Sequence, residues 1–204
     1  VGISGGDILF GFSGSNTGPG DVIENHALIE AHATSVASTN GDAFALAGGA
    51  EADAFITAAS HAAGIEGSLG ADTIRNLGTI FSTASSTTTT DENSSVGLGG
   101  DAAAGAEITA EATARGIAAG GGGDVIVNEG SLDVAAVTNG TAIANSDAGF
   151  FFGDADGDAA GEATATVIGL DLGSGDHDLV NTGAVRVSSS AHMQAVGRAD
   201  GADF

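Results

Sequence analysis

A short phrase recurs four times along this chain at almost constant spacing. It reads Gly20-Asp21-Val22-Ile23-Glu24-Asn25, then Gly70-Ala71-Asp72-Thr73-Ile74-Arg75-Asn76. It returns as Gly123-Asp124-Val125-Ile126-Val127-Asn128 and, more loosely, as Gly175-Asp176-His177-Asp178-Leu179-Val180-Asn181. The asparagines are 51, 52 and 53 residues apart (76−25, 128−76, 181−128). A fixed period of this kind marks one supersecondary unit stacked on its own copies, so the chain is expected to be a solenoid with no single central core.

The residues after each asparagine describe the unit. An aliphatic residue follows four positions on, at Ile29, Ile80, Leu132 and Val185. Glycine stands two positions on at Gly78, Gly130 and Gly183, while Ala27 departs from the pattern. Asn25, Asn76, Asn128 and Asn181 suit a corner because Asn tolerates left-handed geometry and bonds its own backbone nearby; Gly carries no Cβ there. The unit therefore begins with a short strand and a tight turn at Asn-x-Gly, and a second strand follows.

Longer stretches then alternate with period two. Ala106, Ile108, Ala110, Ala112 and Ala114 interleave with Glu107, Thr109, Glu111 and Thr113. Ala163, Ala165 and Val167 interleave with Glu162, Thr164 and Thr166, and Ala50, Ala52, Ala54 and Ile56 with Glu51, Asp53, Phe55 and Thr57. Period two puts one set on each face of a strand, with Ala inward and Glu/Thr to solvent. Alanine favours helix, but a helix would smear these charges around its whole surface. The expected fold is all-β: a right-handed parallel β-helix of four repeats of about 52 residues. The repeats span 20–69, 70–121, 122–174 and 175–204, with 1–19 as a divergent partial repeat. With rungs of roughly 20–26 residues, each repeat holds two. About eight rungs then stack into a rod about 38 Å long, with motif asparagines about 9.6 Å apart and out of contact.

Two segments interrupt this scheme. Ser82 to Ser95 is polar and reads as an exposed strand or loop. Phe150-Phe151-Phe152 reads as an apolar plug, followed by an acidic turn from Gly153 to Asp158. Pro19 marks a turn or a strand start, since it cannot donate to a ladder.

Charge restricts the partners. The net charge is 4−27 = −23, without a single lysine; the fixed cations are Arg75, Arg115, Arg186 and Arg198. Binding a phosphate backbone needs clustered Lys and Arg, so a nucleic-acid partner is not expected. An anionic membrane surface would repel the chain, and no apolar run of about 18 residues is long enough to insert. High charge with few aromatics is also a mark of disorder, but strictly alternating hydrophobic residues are not. Cysteine is absent, which is compatible with any redox compartment. The chain begins at Val1 without Met, so a processed form or a fragment is expected. Composition of this type fits a secreted bacterial surface protein.

Candidate ligand residues are all oxygen donors. Asp154, Asp156, Asp158 and Glu162 offer alternating carboxylates of the sort Ca²⁺ takes, although the spacing is not that of an EF-hand. Asp72, within Gly70-Ala71-Asp72-Thr73-Ile74, matches half of a Ca²⁺-binding glycine-rich nonapeptide; the plainer reading is an aspartate capping a turn. His26, His32, His61, His177 and His192 lack zinc spacing, and His26 and His177 are expected to face solvent. There is no Gly-x-Ser-x-Gly phrase and no Cys nucleophile. Paired carboxylates can hydrolyse glycosides, but four scattered arginines would hold an acidic polysaccharide poorly. The chain is therefore expected not to be an enzyme. Asn93-Ser94-Ser95 and Asn139-Gly140-Thr141 match the N-glycosylation acceptor, a pattern frequent by chance.

The segments Gly123 to Leu132 and Gly70 to Ile80 resemble repeats of autotransporter and haemagglutinin-like passenger domains. They are also similar to repeats of acidic, calcium-dependent bacterial surface-layer and adhesin proteins. The resemblance implies a right-handed parallel β-helix in a non-catalytic protein outside the cell. Solenoids usually carry polar caps, and none is evident here. If a second copy followed directly, its first motif asparagine would lie (204−181)+25 = 48 residues after Asn181, near the internal period. Head-to-tail assembly into a filament, fibre or surface layer, with Ca²⁺ as an assisting ion, is the leading expectation. Phe10, Phe12 and Phe204 would seal the joint. The alternative is an adhesin passenger whose outer face binds glycan or a host surface.

Overall fold

The computed structural model describes residues 20–67 and 69–201. They form eleven strands: β1 (Val22–Asn25), β2 (Leu28–Ala45), β3 (Ala50–Glu66), β4 (Thr73–Asn76), β5 (Thr79–Val96), β6 (Ala102–Ala118), β7 (Val125–Asn128), β8 (Ser131–Asp147), β9 (Ala155–Asp171), β10 (Asp178–Asn181) and β11 (Ala184–Asp200). A short strand and two long ones recur in that order, and each strand pairs in parallel with its counterpart one repeat away. Three sheets result. A narrow corner sheet runs β1-β4-β7-β10, a front sheet β2-β5-β8-β11, and a back sheet β3-β6-β9. The architecture is a parallel β-solenoid.

The repeat is one rung, not two. Asn25 pairs with Asn76, Asn76 with Asn128, and Asn128 with Asn181. The expectation of two rungs fails because the period-two alternation continues through 17 or 18 residues with no corner inside it. Each long strand reaches about 56 Å at about 3.3 Å per residue, so two of them and one short strand exhaust the repeat. Among the described residues, three full rungs and the corner and front strands of a fourth stack to about 19 Å, half the expected length, and the asparagines are nearest neighbours.

Side-chain volume grades the interior. Around the corner the core holds Ile65, Ile74, Ile80, Ile117, Ile126, Leu132 and Val134. Farther along the long strands it thins to Ala104, Ala106, Ala142 and Ala144 around Ile108, and at the far edge to Ala50, Val96 and Ala102. Where the large residues Ile108 and Met193 enter the thin part, the facing positions are vacated, and Met193 is the nearer of the two to both glycines. A Cβ on Gly140 would lie 2.9 Å from the Ile108 Cδ1, and one on Gly161 would lie 2.6 Å from its Cγ1. Close packing fills each gap by matching large to small.

The alternation of Ala with Glu and Thr in β6 sorts inward and outward as expected: Ala106, Ile108, Ala110, Ala112 and Ala114 are buried. Ser82 to Ser95 differs from expectation. It lies within β5, in the middle of the front sheet, with Ser82, Ser86, Thr88, Thr90, Glu92 and Ser94 buried between the sheets. Strand position overrides polarity here because the Ser and Thr side chains are small enough for the thin interior, while the larger Glu92 fits where Gly41 of the neighbouring rung leaves room. Phe150, Phe151 and Phe152 are not a plug; all three are exposed at the bend between β8 and β9. The acidic segment after them is not a turn either, since Ala155 onward is strand β9, paired with β6.

Candidate functional site

The recurring phrase builds one continuous feature, the corner joining the corner sheet to the front sheet. Parallel register puts like residues above one another. Asn25 Nδ2 donates to Asn76 Oδ1 at 2.7 Å, Asn76 Nδ2 to Asn128 Oδ1 at 2.7 Å, and Asn128 Nδ2 to Asn181 Oδ1 at 2.7 Å. Asn76 and Asn128 are fully buried. A buried amide needs partners for its nitrogen and its oxygen, and the column gives Asn76 and Asn128 one donated and one accepted bond each.

Four residues earlier stands a second column: Asp21, Asp72, Asp124 and His177. The Asp21 N–H donates to Asp72 Oδ1 at 2.7 Å, and the Asp72 N–H to Asp124 Oδ1 at 2.8 Å. Each carboxylate thus binds the backbone of the rung before it. In the fourth rung His177 takes the aspartate's place, and its Nδ1 lies 3.3 Å from the Asp124 N–H nitrogen and 3.2 Å from Asp124 Oδ2. The His177 side chain is buried, not solvent-facing as its place beside the motif suggested. Counting back four from each asparagine exposes this column, and with it the histidine substitution.

The glycines form a third column. A Cβ on Gly78 would collide with the Ala27 carbonyl, one on Gly130 with the Gly78 carbonyl, and one on Gly183 with the Gly130 carbonyl. Glycine is needed here because the chain of the preceding rung passes within contact distance. Asn25 carbonyl accepts both the Leu77 and the Gly78 N–H at 2.8 and 3.0 Å, and Asn76 and Asn128 repeat the pattern.

The acidic positions are placed differently. Asp156, Asp158 and Glu162 lie on the outer face of β9, spaced along the strand, and Asp154 precedes it. Asp154 is tied to the neighbouring rung, its N–H donating to Asp101 Oδ1 at 3.1 Å. Alternate strand residues are about 6.6 Å apart, so the four do not converge as an ion's ligands would. Asp72 is buried in the corner column described above. Among the described residues no cluster of three or more His, Asp or Glu could hold a metal ion. On the outer face of the back sheet, Gly105 leaves a shallow hollow bordered by Asp53, Phe55, Glu107 and Asp158. The hydroxyl- and amide-bearing outer face of the front sheet carries Thr87, Thr89, Asn139 and Thr141. Phe10, Phe12 and Phe204 lie outside the described residues.

The far edge, opposite the asparagine corner, is apolar. Leu98 N–H donates to the Leu46 carbonyl and Phe151 N–H to the Leu98 carbonyl, at 2.8 and 3.2 Å. All three side chains are exposed, with Phe44, Phe150 and Phe152 beside them. Sequence reasoning did not find this edge because its members are scattered over three repeats.

No family model, no curated protein and no solved structure matches the chain.

Proposed function

We propose that this chain is an extracellular structural β-solenoid that associates end to end into a filament, fibre or surface layer. The observation that carries the reading is the like-on-like register of the rungs: each strand pairs in parallel with its counterpart one repeat away, so the stack sets no limit of its own on the number of rungs. Strand edges are templates for pairing with another chain, and a second copy offers strands of the same length and period. A contact between opposite ends does not close on itself and yields fibres. The charge of −23 opposes lateral aggregation, and Ca²⁺ bridging the carboxylates of neighbouring rods would assist side-by-side packing. The acidic, lysine-free composition and the resemblance to surface-protein repeats support a place outside the cell.

Negative-stain microscopy and light scattering of the purified 204-residue chain, with and without Ca²⁺, test this reading. Polymers whose length grows with protein concentration are expected. Particles of one-subunit size at all concentrations would sink it.

The exposed apolar edge of Leu46, Leu98 and Phe151 favours a second reading, an adhesin passenger that meets a partner along that edge while its Thr- and Asn-bearing face contacts glycan. Large exposed apolar patches mark interaction sites. An adhesin would stay monomeric and bind a glycan array.

A further inference from the structure

The bends that carry the chain from the front sheet to the back sheet stack into one apolar ridge. Phe44 and Leu46 come from the first rung, Leu98 from the second, and Phe150, Phe151 and Phe152 from the third. The inter-rung bonds from Leu98 to Leu46 and from Phe151 to Leu98 hold them in register. Side chains also lean across the rungs. A Cβ on Gly97 would lie 3.4 Å from Leu46 Cδ1 and 3.5 Å from Phe44 Cζ, and the Phe150 and Phe151 rings meet edge to face at 5.1 Å. The four phenylalanines are 71, 63, 55 and 80% exposed in chain order, and Leu46 and Leu98 are 63 and 48% exposed. The phenylalanines alone then offer about 500 Å² of apolar surface, as much as the largest patch on a typical monomer. The leucines bring the ridge toward the about 800 Å² that each side of a standard interface contributes.

Three observations select what fits it. The first is charge. Asp42, Glu51, Asp101, Asp147 and Asp154 border the ridge and are exposed, with no Arg, Lys or His in 42–51, 94–102 or 145–155. Arg198 enters only in the fourth rung, opposite Asn145. A second copy would set these carboxylates against their own kind, at a cost, whereas a cationic partner complements them. The second is the backbone. The N–H groups of Gly48, Leu98, Gly100 and Phe151 already donate between rungs, so an added strand would find no ladder to extend here. A helix needs none, since its own bonds are internal. The third is period. Rungs repeat at about 4.8 Å and helical turns at about 5.4 Å, so three rungs meet about three turns of a helix laid along the stack. Lysines flanking its apolar stripe would rest their stems on the ridge and reach the carboxylates with their ammonium groups.

We propose that this ridge docks a cationic amphipathic helix of a partner protein, about ten residues long, with an apolar stripe edged by Lys or Arg. The inference rests on the second reading above, in which the edge meets a partner, and names that partner's chemistry. The chain cannot supply the helix from its described residues, which are all strand and connection.

The probe is a labelled synthetic peptide of about 18 Leu and Lys residues with its leucines on one helical face; the control carries Glu in place of Lys. Fluorescence anisotropy reads binding, and circular dichroism reads the helix gained and the fold of each variant. The Lys peptide should bind the parent protein and the Glu peptide should not. Leu98→Ser with Phe151→Ser alters only exposed side chains and should raise Kd about tenfold or more. Asp101→Asn keeps the oxygen that the Asp154 N–H binds and should raise Kd a few-fold. Glu107→Gln, out on the back sheet, should leave it unmoved. Binding that weakens equally with Asp101→Asn and Glu107→Gln, and not at all with Leu98→Ser and Phe151→Ser, would be general charge attraction and would overturn the ridge. Parent protein that sediments as pairs, dissolved by Leu98→Ser with Phe151→Ser, would give the ridge to a second copy and overturn the helix. A parent that binds a glycan array but not the Lys peptide would overturn the ridge and leave the adhesin reading standing; one that binds neither would overturn both.

Discussion

Strands β5 and β6 face each other across the same interior, yet their inner faces are chemically opposite. β6 presents Ala102, Ala104, Ala106, Ile108, Ala110, Ala112 and Ala114, all buried and apolar. β5 presents Ile80, Ser82, Ala84, Ser86, Thr88, Thr90, Glu92, Ser94 and Val96, equally buried and mostly polar. What the two share is a predominance of small side chains, with Ile80 and Glu92 on β5 and Ile108 on β6 as the large exceptions. An interior this thin selects for small side chains first and tolerates hydroxyls if their bonds can be met. Ser86 Oγ donates to the Ala58 carbonyl at 2.6 Å and Ser94 Oγ to the Ala50 carbonyl at 2.8 Å, so β5 is stitched to β3. Ser82, Thr88, Thr138 and Ser146 hydroxyls have no such partner. β6 contributes contact and β5 contributes bonds, unevenly.

The contrast breaks most sharply at Ile108, the large residue of the apolar face. Gly140 and Gly161 leave room for it and for Met193, which packs beside it, so truncation opens a gap that only the flexible Met193 side chain could partly fill. Ile108→Ala should cost about 2–5 kcal/mol, read as a fall in the urea midpoint. A loss under about 1 kcal/mol would mean that the sheets close over the gap, and that packing at this point is looser than the glycines suggest.

That asymmetry also governs what was legible in the sequence. β6 could be read because small apolar and large polar residues alternate; the two faces differ in chemistry as well as in position. β5 could not, because Ser and Thr occupy both faces. Polarity then carries no sign of direction, and only pairing with β2 and β8 fixes it. The number of rungs is hidden for a related reason. Ordinary rung lengths do not apply to a repeat whose alternation has no internal corner, and the run of 17 residues in β3 or β6 is itself the evidence for one long strand. The corner was the most legible part, since Asn and Gly there answer to backbone geometry. Its aspartate column was half-seen: Asp72 as a turn cap was readable, whereas the equivalence of His177 with Asp124 emerges only when the phrases are aligned on their asparagines.

On the polar face the expected effects reverse sign. Thr88 is buried with an unpartnered hydroxyl, so Thr88→Val, which keeps the shape and favours strand, should stabilise by about 1 kcal/mol. Thermal unfolding measures it; a destabilised variant would show that the hydroxyl is bonded in solution, through a water bridge for instance. Glu92 is a second case. Its carboxyl group is buried, with Thr90 Oγ1 donating to Oε1 at 2.8 Å and Oε2 resting against Gly41. A carboxylate costs more to bury than an amide of the same shape. Glu92→Gln keeps the oxygen that Thr90 binds and lowers that cost, for an expected gain of about 1 kcal/mol. Loss of stability there would mean that an unseen cation or water satisfies the carboxyl.

The smallest effect lies outside the apolar sheet, where its neatness ends. The outer face of β3, β6 and β9 carries Glu51, Asp53, Glu107, Glu111, Asp156, Asp158 and Glu162 without a lysine among them. Asp53 and Asp158 both border the hollow over Gly105, one rung to either side. Their repulsion is exposed and screened, so Asp158→Asn should stabilise by only a few tenths of a kcal/mol, about the scale of surface pairs. Added salt should erase the difference, because the Debye length falls from about 10 Å at 0.1 M to about 3 Å at 1 M. Calcium sharpens the measurement. If the ion bridges these carboxylates, it should raise the melting temperature of the parent protein and do so less for Asp158→Asn at equal ionic strength. Equal rises in both would locate any calcium effect elsewhere on the rod, and the acidic face would then act through net repulsion alone.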